Sequence, residues 1–506
     1  MEQKTGQRRR SDLFFCLAVF AAMLVFFTVL HPIPIMDEDD VIYTVLSRKA
    51  IPIPGAWNPS RMMPEVLSAL CGNMAGLCTA LKLGRFIDCQ VAVLGIMLAL
   101  FITGYAYSLL RLLEKRFEAG RFAALSLVIL FLELHFLIFR TEYSRNLYMF
   151  HTYDQCCVFY YTMPALLCCA LVMQFMANPE WTPRLTGKQP LRESMLVLVL
   201  YFAVFSNLFG SAVLASYVLC RTIRDGLRAK KTGTGFQTFL KDEAVWLTVL
   251  LLWMIAAILE STGGRAGGKP QAVAAGAVGL PEGLRQAVGV LFQMFGKTAL
   301  LFRLLMLAAV LAAAAVYLAE KDAGKKKALR QTLGGILAWS VPNGLFLILL
   351  CAVVSPGYAG RPEAMFTLLS AGMLLMILAF AALVRRFPRT GLLLPVLLVF
   401  VFSMTNTRFL TFADSNPLDL DGHLAMAVEN EIYESIIRAA EAGETEVTVH
   451  VPLSGEETNW PHDGNVGNPI AQFFLKYGII DHEITVRIQP SEEFNREFHI
   501  PLPDAG

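Results

Sequence analysis

Runs of about 20 apolar residues, each closed by a short polar segment, recur from residue 13 to residue 405 and then stop. In helical form such a run spans the roughly 30 Å hydrocarbon core of a bilayer. The first, 13 to 30, meets His31-Pro32-Ile33-Pro34, where proline cannot continue the helix. No small-residue cleavage pattern follows it and more apolar runs do, so it reads as a retained anchor, not a signal peptide. Further spans read at about 88–110, 122–139, 156–176, 244–260, 298–318, 333–354, 364–384 and 391–405. Beyond 406 the pattern changes to that of a small mixed α/β unit. A helix is expected near 422–442, a strand at 446–452, a helix near 469–477 and a strand at 483–489.

Charge settles two ambiguous runs. Lys4, Arg8, Arg9 and Arg10 precede the first span, and basic flanks stay cytoplasmic, so the N-terminus is expected inside. Arg111, Lys115, Arg116 and Arg121 follow the span ending at Leu110 and belong on the same side. The run 62–81 then cannot be a full crossing and is expected as a surface or re-entrant helix in a long outer loop, 36–87. The run 195–220 has basic residues on both flanks. Two short helices meeting near Ser206-Asn207-Leu208-Phe209-Gly210 keep both flanks inside. About eleven crossings result, dividing the chain into a basic N-terminus (1–11), a transmembrane region (12–405) and an outer tail (406–506).

With 55% hydrophobic and 17% charged residues, 506 residues are too apolar for an ordinary soluble protein. The fold class is therefore an all-α polytopic membrane protein with a small α/β C-terminal domain. The net charge of +2 names no partner and gives no sign of nucleic-acid binding. All ten cysteines precede Ser355, mostly in apolar runs, which suggests packing, not disulfides or metal ligation.

Candidate chemistry collects on the outer side. Asp37-Glu38-Asp39-Asp40 closes the first span, and four acids at close range push some pKa values up unless cations or a metal compensate. Tyr43, Trp57, Asn58, Ser60 and Arg61 share the loop; an aromatic beside carboxylates suits a sugar. The loop after the third span holds Arg140, Tyr143, Arg145, Tyr148, His151, Tyr153, Asp154, Tyr160 and Tyr161. Glu133 and His135 precede it at a depth where ionisable groups usually face a cavity or each other. Arg361 opens an inward span and is suited to phosphate, with Lys297 and Arg303 as weaker candidates. No Walker loop, dinucleotide fingerprint, nucleophile elbow or zinc spacing occurs.

The acidic first loop, the span number and the outer tail together resemble the GT-C superfamily of membrane glycosyltransferases, most nearly the bacterial GtrII-like proteins and an allied multi-span family of unknown function. The residues carrying the resemblance are Asp39-Asp40-x-x-Tyr43, Ser60-Arg61 and Tyr161-x-x-Pro164. Where such proteins often carry an acid after Asn in the middle hairpin, this chain has Asn207-Leu208-Phe209. The resemblance implies inverting transfer of a sugar from a polyprenyl-phosphate donor to a cell-surface glycan or lipid at a bacterial cell membrane. Asp40 or Asp39 would be the base and Arg61 and Arg361 the phosphate groups, with Tyr43, Trp57, Tyr161, Arg145 and His151 as further substrate contacts. It implies no cofactor, although the acids alone suit a divalent cation. Two other classes fit the spans: a transporter or flippase of lipid-linked saccharides, for which paired halves are missing, and a non-catalytic scaffold.

Overall fold

A computed structural model describes residues 2–46, 48–140, 146–178, 188–264, 279–405, 412–416, 420–453 and 467–502. Among them, seven helices are long and apolar enough to cross a membrane. They are α1 (Glu2–Val25, prolonged by a π turn Phe26–Leu30), α4 (Phe86–Arg116), α6 (Gln155–Ala177), α9 (Phe236–Thr262), α11 (Leu300–Ala319), α12 (Ala323–Val354) and α13 (Phe366–Arg386). Four further helices pack with them: α5 (Arg121–Leu137), α7 (Pro190–Val204), α8 (Leu208–Thr232) and α14 (Leu394–Thr405).

One end collects the basic residues. Arg8 and Arg121 both meet Glu114, Lys115 donates to Asn178 (2.6 Å), Arg385 pairs with Glu118 (2.9 Å) and Arg386 donates to the Ala319 carbonyl (3.2 Å). Loops that charge alone assigned to one side therefore lie together. The opposite end carries the acidic turn and, beyond it, the tail.

The run 195–220 is broken at Phe205–Asn207, and the Asn207 side chain caps α8 by accepting from the Phe209 N–H (3.0 Å). The expectation of two short helices needs correction in one respect. α8 has 25 residues and stops only at Gly233, whose φ of +71° a side chain would resist. α3 (Met62–Ala80) is not among the helices long and apolar enough to cross: the Met63 N–H bonds to the Phe205 carbonyl (3.0 Å) and its far end returns to α4 through Lys82 and Gly84. The last apolar run is not one long helix either. A 3₁₀ turn, Pro388–Leu393, precedes 12 residues of α14 because Pro388 and Gly391 interrupt the pattern. Periodicity also missed α10 (Leu280–Gly296), which lies at the acidic end, where the Ala299 N–H bonds to Ile138 (2.9 Å).

The tail comprises α15 (Gly422–Glu441), β1 (Glu446–Pro452), α16 (Gly467–Lys476), β2 (Thr485–Ser491) and α17 (Glu492–Glu497). β1 and β2 pair in parallel, Glu446 opposite Thr485 and Pro452 opposite Ser491, as a connection through a helix allows. Its apolar face does not close on itself. Val449, Phe473 and Phe474 join Ile35, Met36, Val41, Ala75 and Phe86 in one buried cluster, so the tail packs against the back of the acidic turn. That turn is α2 (Glu38–Val45), which lies on α3 over Gly72: a Cβ there would fall 2.2 Å from the Thr44 carbonyl oxygen.

Candidate functional site

The first turns of α6 organise the acidic end. Pro164 has no N–H for the Tyr160 carbonyl and its ring crowds that group, so the helix widens into a π turn over Val158–Thr162. Tyr160 and Tyr161 are presented by this widened turn. Just before it, Asp154 caps the helix by accepting from the Cys157 N–H (2.5 Å).

Asp40 reaches this turn from α2 and is 2% exposed. Its carboxylate accepts backbone N–H groups from Met36 (3.0 Å), Asp37 (3.2 Å), Cys156 (2.5 Å) and Gln155 (3.4 Å). Asp37 in turn accepts from Asp39 N–H (2.9 Å), and the two acids form a capping box. One carboxylate thus closes two helix N-termini, whose partial positive charge favours an anion. Burial first, then the charges of Asp154 and Asp37, nevertheless push the Asp40 pKa well above the usual carboxylate range. Burial likewise pushes Asp154 up to about 6, against the Cys157 donors. The pair shares a proton more readily than it carries two charges. Asp39, by contrast, is exposed.

Two arginines flank the same turn. Arg361 pairs with Glu363 (2.5 Å), donates to the Cys157 sulfur (3.1 Å) and sits over the rings of Tyr153 (4.5 Å), Tyr358 (5.2 Å) and Tyr161 (5.6 Å). Cys157 also touches Asp154 (3.3 Å), which makes Asp154 and Arg361 neighbours through one thiol. Arg61 pairs with Glu260 (2.8 Å) and lies 5.6 Å over Tyr160. Burial opposes both cations most strongly, yet Glu363 and Glu260 hold their pKa values above the ordinary arginine value. Tyr160 donates to Glu65 (2.8 Å), and Asn58 donates to Tyr160 (3.1 Å) and Tyr43 (2.8 Å). Arg48 completes this network on Glu65. Burial pushes the Tyr43 phenol up to about 12.

A cavity of about 280 Å³ opens beside Arg361, lined also by His151, Tyr153, Lys297, Glu363 and Asp414. His151 bonds to the Asp414 carbonyl (2.9 Å), and burial pushes its pKa down, favouring the neutral ring. The site therefore offers proton acceptors, a planar cation and aromatic faces around one helix turn.

The remaining expected residues divide. Trp57 is 54% exposed, at the rim beside the end of α9, and does not stack against the acids. Arg145 and Tyr143 lie outside the described residues, as does the side chain of Arg140. Glu133 and His135 do not face each other, because residues two apart point apart on a helix. His135 is instead a core node, bonded to the Phe131 carbonyl (2.7 Å) and Tyr105 (3.1 Å). Arg303 caps the chain leaving α10 through the Thr298 carbonyl (2.9 Å). Glu260, Glu363, Glu65 and Cys157 were not anticipated. Glu260 had a signal in its position at the end of a span, and Glu363 in standing two residues after Arg361.

Asp40, Asp154 and Cys156 bring one ligand atom each within 4.8 Å of one another, a set that can approach a cation. The oxygens of Asp40 already serve N–H donors at two positive helix ends, which weighs against it. No family model, curated protein or solved structure matches this chain.

Proposed function

We propose that the chain is a membrane glycosyltransferase of GT-C type that moves a sugar, with inversion, from a polyprenyl-phosphate donor to a cell-surface acceptor. The observation that carries this reading is the convergence of Asp40, Asp154, Arg61 and Arg361 on the first turns of α6, at one end of the bundle, with Arg361 reaching a cavity. In this reading Asp154 is the general base. A carboxyl raised to about 6 still accepts a proton near neutral pH, while Asp40 holds the turn through its backbone bonds. The acceptor hydroxyl attacks the anomeric carbon and its proton passes to Asp154. The bond from that carbon to the phosphate oxygen breaks, and the departing polyprenyl phosphate keeps the electron pair. Arg361 is suited to receive it bidentately. The rings of Tyr153 and Tyr161 give a sugar apolar faces.

The proposal includes sidedness. In this reading the chain crosses the membrane of a bacterial cell about eleven times, with the basic end in the cytoplasm and the site and tail outside. A reporter fused at Gly506 tests this, since cytoplasmic reporter activity reverses it. For the chemistry, membranes supplied with a polyprenyl-phosphate sugar should lose about 10²- to 10⁴-fold of transfer in Asp154→Asn. Full transfer in Asp154→Asn and in the Asp40→Asn, Asp154→Asn double variant overturns the assignment.

A further inference from the structure

At the basic end a second cavity, of about 280 Å³, opens between α4, α6, α8 and α12. Three arginines line it: Arg116 at the end of α4, and Arg221 and Arg224 on α8. Asp225 takes part of that charge, at 3.5 Å from Arg221 and 3.0 Å from Arg224. Glu243 also lies in electrostatic range of Arg221. Arg116 forms no ion pair or hydrogen bond among the described residues. It also lines an adjoining cavity of about 420 Å³ with Lys325, Arg385 and Arg386. Cations at helix C-termini are ordinary and by themselves call for no ligand.

Trp339 is what they do not explain. Its side chain lines the first cavity at 4% exposure, and its indole N–H has no hydrogen-bond partner among the described residues. A buried donor without an acceptor is destabilising. Beside Arg116 and Arg224, the acceptor that satisfies it is anionic, and Leu112 and Met176 give the cavity an apolar lining. Arginine forks and one N–H with an apolar lining match a phosphate diester that carries acyl chains. We propose that this cavity binds the phosphate of an anionic phospholipid headgroup, independently of the site at the other end.

Native mass spectrometry of the full chain in detergent tests this with phosphatidylglycerol against phosphatidylcholine. One phosphatidylglycerol should be retained in preference. Arg116→Gln should weaken retention about fivefold, and Trp339→Phe, which keeps a ring in place, should weaken it in the same direction. Lys231→Gln, at the same end but outside the cavity, should leave it unchanged. Inorganic phosphate retained in place of the lipid supports the phosphate site with a free phosphate as its ligand. Equal retention by wild type, Arg116→Gln and Trp339→Phe overturns the proposal, as does an equal loss in Lys231→Gln.

Discussion

The two ends of the bundle carry charge in opposite ways. At the acidic end the charged groups are withdrawn from water and matched one to one: Arg361 with Glu363, Arg61 with Glu260, Arg48 with Glu65, and Asp40 with four backbone donors. At the basic end Glu114 and Arg221 are buried in ion pairs of their own, but Arg385 and Glu118 meet at 42% and 71% side-chain exposure, and Lys325 and Lys327 are exposed. Charge that only orients a chain in a membrane needs a side, not a partner. Charge taken out of water needs both, and such matching is what marks the acidic end as a built site.

The largest expected effect breaks that matching. Glu363 is fully buried, so Glu363→Gln leaves Arg361 uncompensated and should cost about 3–5 kcal/mol, read as a lowered unfolding midpoint in detergent. Gly72→Ala should come next. Its Cβ would strike the Thr44 carbonyl and push α2 from α3, costing about 1–3 kcal/mol and disturbing Asp40. Gly104→Ala, with nothing within 4 Å of the added atom, is the control and should be tolerated.

The third prediction concerns pH. The Asp154 pKa is raised from 3.8 to about 6 on folding, so the folded state holds a proton that the unfolded chain has lost. The contribution of Asp154 to stability should therefore fall as pH rises from about 4 to about 6 and level off above it. Asp154→Asn should flatten that slope in unfolding curves taken across the same window; an unchanged slope would mean that another group sets it. The smallest effect belongs to the basic end, where Arg385→Gln should shift stability by about 0.5 kcal/mol or less. A loss as large as that of Glu363→Gln would erase the distinction between the ends.

Much of the architecture was legible because membrane helices and tail strands are written in local pattern. The break at Asn207 followed from basic flanks, and the tail helices and strands followed from period and alternation. The acidic run was legible in position, but its capping role was not read from the sequence. Asp37-x-x-Asp40 is a helix-capping spacing, and two of the four acids serve α2 before any chemistry. That α3 is not among the helices suited to cross could be inferred from charge, whereas α10 could not, because a short amphipathic helix after a Gly/Ala-rich stretch carries no span signal.

The apolar periods and the basic loops by themselves determined that this is a helical membrane protein, where its helices turn back, and which loops share an end. Those features depend on neighbours in sequence and on a solvent that penalises every exposed peptide group alike. Which carboxylate is buried under backbone donors, which glutamate answers each arginine, and that Asp40, Asp154, Arg61 and Arg361 meet at the π turn of α6 were decided only by the tertiary structure. Pairing energies act across space between residues as far apart as Arg61 and Glu260, and no local pattern encodes such a distance.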